Sequence, residues 1–132
     1  MISVIYGAKG TGKTQRIKDA ANAAAEKATG KVIYITDNSQ SLGIATNIRF
    51  INLNEYAISG EEQLVAFLKG MLATDFDIQS VYIDGISRFV GLPAEELKPV
   101  FEAIEKAADK IDFVVTVSTD TLPKYLKSYA AK

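Results

Sequence analysis

Gly7-Ala8-Lys9-Gly10-Thr11-Gly12-Lys13-Thr14 follows a short β-branched run, Ile2-Ser3-Val4-Ile5-Tyr6, and precedes an alanine-rich stretch with helical spacing. A strand, a glycine loop and a helix in that order govern the reading of the rest of the chain. A polyanion can be ringed by backbone N–H groups only where no Cβ blocks the approach, and Gly7, Gly10 and Gly12 provide that opening. Lys13 puts an ammonium at the rim. Thr14 adds a hydroxyl, a hard oxygen suited to Mg²⁺. The helix opening near Lys13 turns the positive end of its dipole toward the same spot. Gly7, Ala8, Lys9, Gly10, Thr11, Gly12, Lys13 and Thr14 are therefore the candidate polyphosphate-binding residues, with Lys13 also a catalytic candidate. A glycine-rich turn without a ligand is the competing reading.

Outward from the loop, apolar runs and helical patterns alternate. Residues 13–29 carry Ile17, Ala20, Ala21, Ala24 and Ala28 on one face, and Gly30 is placed to end that helix. Residues 31–36 read as a second strand, 37–47 as a polar loop and 49–53 as a short strand. Ser59-Gly60-Glu61-Glu62 has the form of a capping box, with Glu62 reaching back to the Ser59 amide. The helix behind it presents Leu64, Phe67, Leu68, Met71 and Leu72. Residues 80–83 form a strand ending at Asp84-Gly85. A helix over 95–110 turns Val100, Phe101, Ile104 and Ala108 inward, 112–117 is a strand, and 123–131 a last short helix. Strand–helix alternation predicts right-handed crossovers and a three-layer α/β/α sandwich around a mainly parallel five-stranded sheet.

Length and composition agree with that plan. The 132 residues suit one domain, expected to be a single nucleotide-binding unit over 1–132, and 23% charged residues fit an ordinary globular chain. A formal net charge of -1 gives no strong pull toward nucleic acid or an anionic membrane. The absence of Cys and His excludes disulfides, thiolate zinc sites and imidazole chemistry. No secretory pattern and no membrane-length apolar run are visible, so a cytoplasmic protein with no membrane partner is expected.

With its full G-x-x-x-x-G-K-T pattern the chain resembles the P-loop NTPase superfamily. The resemblance implies the P-loop fold, ATP as ligand or substrate, and Mg²⁺ as cofactor. Val81-Tyr82-Ile83-Asp84 is similar to the apolar strand whose final Asp holds Mg²⁺ through water, which makes Thr14 and Asp84 the implied metal residues. Asp84-Gly85 is also compatible with a hairpin turn. Gly85-Ile86-Ser87 departs from the D-x-x-G of GTPases, and Val117-Ser118-Thr119-Asp120 from their N-K-x-D. Partition ATPases similar to MinD have Lys where this chain has Ala8. The likeness of residues 58–63 to the ABC signature is accounted for by the helix cap.

The remaining match is to the RecA-like branch, on Val81-Tyr82-Ile83-Asp84-Gly85-Ile86-Ser87. That branch places a water-activating Glu after its second strand, and the corresponding residue is Asp37. An Asx turn opening the 37–47 loop is the rival role for Asp37. Ser118 and Thr119 match a γ-phosphate sensor in place, or cap the following turn. Arg88 is expected on the solvated surface. RecA-like order places the last strand between the loop strand and the Asp84 strand, whereas kinase order makes those two direct neighbours. The resemblance, which extends to small stand-alone bacterial P-loop proteins, implies a weak or partner-stimulated ATPase. A non-hydrolysing module in which ATP orders the 37–47 loop, or a small-molecule kinase, are the alternatives. A missing edge element leaves room for a protein partner or self-association.

Overall fold

Five β-branched segments form the sheet of the computed structural model, which describes residues 1–108 and 110–129. They are β1 (Ile2–Gly7), β2 (Lys31–Thr36), β3 (Ile48–Asn52), β4 (Ile78–Ile83) and β5 (Asp112–Ser118). Every neighbouring pair is parallel, in the order β1-β5-β4-β2-β3. The last strand thus separates the loop strand from the Asp84 strand. This is the RecA-like order and not the kinase order.

Parallel strands need crossovers, and the helices that make them cover both faces. α1 (Lys13–Lys27) packs on one face, where Ile17, Ala21 and Ala25 meet Ile5, Val32, Tyr34, Ile48 and Tyr82. Alanine at the contact lets the helix lie close to the strands. The other face carries α2 (Glu61–Thr74), α3 (Ile86–Val90) and α4 (Lys98–Ala107). There Leu64, Leu68, Phe101 and Ile104 close over Ile33, Ile35, Val81, Ile83, Val115 and Val117. The result is the α/β/α sandwich expected from the sequence. Because strand side chains alternate faces, Tyr34, Asp84 and Thr116 emerge on the α1 side at the carboxyl ends of their strands. Ligands bind at that end of open α/β sheets.

Several boundaries differ from expectation. α1 stops at Lys27, and Gly30 does not cap it through a left-handed conformation. A Cβ at Gly30 would instead collide with the Asp77 carbonyl oxygen, so glycine serves close approach between α1's exit and β4. α2 has Gly60 as its N-cap with no side-chain cap from Ser59, and Gln63 rather than Glu62 accepts the Ser59 amide at 2.9 Å. α4 begins at Lys98 because Pro99 has no N–H to donate to Glu95; Ala94–Glu96 form a 3₁₀ turn instead. α3 was not anticipated, being too short to show a period. The final segment is a 3₁₀ turn, Lys124–Tyr129, and Ala131, the end of the expected helix, lies outside the described residues. Among the described residues, no helix is long and apolar enough to cross a membrane.

Gly30→Ala is expected to destabilise the fold by about 1–3 kcal/mol through overpacking against backbone. Gly70→Ala, in α2 with no atom within 4 Å of the new Cβ, should stabilise it by about 0.5–1 kcal/mol. Denaturant midpoints of the two variants, at unchanged slope, check both signs.

Candidate functional site

The glycine loop leaves β1 at Gly7 and enters α1 at Lys13. A Cβ on Gly7 would lie 2.5 Å from Thr11 Oγ1, so a larger residue there would displace the Thr11 hydroxyl that donates to Ala8. The Ala8 carbonyl gathers the loop, accepting from Thr11 Oγ1 at 2.7 Å and from Lys13 Nζ at 2.9 Å. The Lys13 ammonium therefore sits within the loop's span, largely buried, and is not extended into solvent. Gly10 and Gly12 take positive φ, and Lys9 is exposed.

β4 delivers Asp84 to the same place. Its carboxylate is 5% exposed, and hydroxyls from three elements reach it. Thr14 Oγ1 donates to Oδ2 at 2.9 Å, Tyr34 Oη to Oδ2 at 3.3 Å, and Thr116 Oγ1 to Oδ1 at 2.8 Å. The Gly85 amide donates in turn to Thr116 Oγ1 at 2.7 Å, so the Thr116 hydroxyl relays between backbone and carboxylate. Burial, followed by the nearby Asp84 charge, pushes the Tyr34 phenol upward, which keeps it a neutral donor. Asp84 is thus a fixed side chain in a carboxylate–hydroxyl cluster. Its backbone N–H donates to Ile35, consistent with a continuing strand and not a hairpin turn.

Asp37 and Arg88 occupy the rim. Arg88 is exposed, as expected, but it is held in an ion pair. Its Nε donates to Asp37 Oδ2 and its Nη2 to Asp37 Oδ1, both at 2.9 Å. Nη2 also lies 3.4 Å from the Asp84 carbonyl oxygen, and the guanidinium rests where a Cβ on residue 85 would be, so Gly85 makes room for it. This pairing holds the Asp37 carboxyl below its ordinary value, the hydrogen bonds from Arg88 being the largest cause. The turn at the head of the loop belongs to Asn38, whose Oδ1 accepts the Gln40 amide at 2.9 Å, and not to Asp37. Thr119 Oγ1 donates to Thr121 in the following turn, which is the capping alternative for that residue.

Thr14, Lys18, Tyr34, Asp84 and Arg88 line one cavity of about 250 Å³, together with Asn38 and Gln40 of the 37–47 loop. A larger groove beside β3 has none of these groups. α1 also anchors the far half of the 37–47 loop. Lys18 donates to the Leu42 carbonyl, Asn22 to that of Gly43, and Asn47 to that of Ala25. Tyr34 and Thr116, the partners that hold Asp84, were missed from sequence, as were Lys18, Thr36, Asn38 and Gln40 of the cavity lining. For Tyr34 and Thr116 the available signal was a polar atom inside each of two otherwise apolar strands.

Compared with known proteins, the chain matches no family model and no curated protein. Among solved structures it is similar to the flagellar accessory protein FlaH from Methanocaldococcus jannaschii, with TM-score 0.67 and 15% identity. The two share a fold. The match covers 96% of this chain and 65% of FlaH, so the chain spans about two-thirds of that protein's length. Together with the strand order, the likeness makes the fold RecA-like.

Thr116→Val keeps the shape but strips both the Gly85 amide and Asp84 of a partner, and should cost about 1–3 kcal/mol in denaturant unfolding. The Asp37–Arg88 pair predicts a specific pH dependence. A depressed carboxyl contributes stability above the unfolded value of about 3.9, and that contribution disappears as pH falls through the lower folded value. Asp37→Asn should therefore be less stable than wild type at neutral pH. The gap in melting temperature should close in strong acid.

Proposed function

We propose that this chain is a P-loop protein that binds Mg-ATP and hydrolyses it slowly, in need of a partner or a second copy for full turnover. The observation that carries the proposal is the meeting of Thr14 and Asp84 at 2.9 Å beside the glycine loop. A hydroxyl and a buried carboxylate at the start of the loop helix form a hard-oxygen pair that suits Mg²⁺. Among the described residues no group of three or more acidic side chains is gathered for a metal. A two-residue site of this kind fits a cation whose remaining ligands are water and phosphate oxygens.

In this reading the loop from Gly7 to Thr14 holds the triphosphate, and Lys13 moves from the Ala8 carbonyl to a phosphate oxygen. Thr14 and Asp84 would hold Mg²⁺, which supplies charge neutralisation at the phosphate oxygens when bound. Tyr34 and Thr116 keep the Asp84 carboxylate fixed in orientation. Asp37 is the carboxylate that would orient an attacking water, and at rest both its oxygens are taken by Arg88. Of the three arginines, Arg88 lines the cavity, and at rest it is paired with Asp37. A cytoplasmic location goes with an ATP-dependent role.

Calorimetric titration tests the proposal. Wild type should bind ATP more tightly with Mg²⁺ than without, and in preference to GTP. Lys13→Ala should weaken binding by about tenfold or more, the loss of one charged hydrogen-bond donor to phosphate, with an unchanged melting profile. Undiminished affinity in a folded Lys13→Ala protein defeats the assignment. The same titrations followed for phosphate release should show a rate lowered further by Asp37→Asn.

A further inference from the structure

Arg88 shares its cavity with Thr14 and Asp84, yet its charge is spent on Asp37. The helix that carries it is anchored, because Ile86, Phe89 and Val90 are all buried. Its side chain is about half exposed and can swing while the backbone stays in place. Asp37 is held from the other side, its carbonyl accepting from Asn54. Two fixed supports therefore meet through one movable guanidinium at the mouth of the site.

We propose that Arg88 is a terminal-phosphate ligand kept in reserve: it pairs with Asp37 in the resting protein and transfers to the γ-phosphate when a nucleoside triphosphate fills the loop. This rests on the ATP reading above. A terminal phosphate presents more negative charge and more acceptor oxygens than one carboxylate, and a guanidinium fork fits either. The exchange replaces one bidentate ion pair with another, so the guanidinium is never left unpaired. Transfer also frees both Asp37 oxygens, which Arg88 occupies at rest, to accept from water. A diphosphate lacks the group that Arg88 would meet. ATP and ADP are thus distinguished by a residue outside the glycine loop.

The test is calorimetric titration of Mg-ATP and Mg-ADP into wild type, Asp37→Asn, Arg88→Gln and the double variant, each checked by thermal melting. Removing the competing carboxylate should tighten ATP binding about fivefold when Arg88 is present, and clearly less in the Arg88→Gln background, where loss of the charge acts only through space. ADP affinity should change by less than about twofold in either background. Equal tightening of ATP with and without Arg88, or an equal gain for ADP, overturns the transfer. If Arg88→Gln does not fold, Arg88→Lys takes its place, keeping the charge and losing the fork. A wild type that binds neither nucleotide removes the ATP reading and this inference together. A wild type that binds ATP with no coupling between the two residues removes this inference alone.

Discussion

Burying a carboxylate is unfavourable unless its oxygens are satisfied, and the site is organised around meeting that demand for Asp84. Three hydroxyls converge on it from α1, β2 and β5, and each has its own support. Thr14 is fixed by the first turn of α1, Tyr34 by a ring stacked on Phe50 at 5.9 Å, and Thr116 by the Gly85 amide. The cluster thereby ties together the central strands and the helix that follows the glycine loop. Removing Thr116 leaves Oδ1 and the buried Gly85 amide without that partner, the condition under which hydrogen bonds matter most, whereas Oδ2 keeps one donor if Thr14 or Tyr34 is lost.

How much of this could be read from residues alone follows from the range of each signal. The glycine loop, its strand and its helix are contiguous, so residues 2–27 were legible almost to the residue. The five strands were recognisable as β-branched runs, and their order was anticipated through the resemblance, with β5 between β1 and β4. The partners of Asp84 were harder. Thr116 lies 32 positions away and Tyr34 50 positions away, and only the parallel register brings them together. Local sequence gives the parity of a strand but not which strand is its neighbour.

The pair at the rim shows a different limit. Asp37 was singled out by its place after β2, and Arg88 was expected in solvent because arginine usually is. Their bidentate contact depends on α3, a five-residue helix with too few residues to announce itself. It depends too on Gly85, which has no side chain where the guanidinium lies. The capping box failed for a related reason. Ser59 stood one position too early once Gly60 took the N-cap, and a shift of that size is within the uncertainty of any helix end.

α1 does two jobs that are usually divided between elements. Its first turn completes the glycine loop, while Lys18 and Asn22 farther along hold the carbonyls of Leu42 and Gly43. Part of the cavity lining and the far half of the 37–47 loop are thus carried on a single rod. That rod is pinned to the sheet by buried Ile17 and by the Thr14–Asp84 hydrogen bond. Bracing one helix at both places makes the glycine loop and residues 42–43 share a single footing.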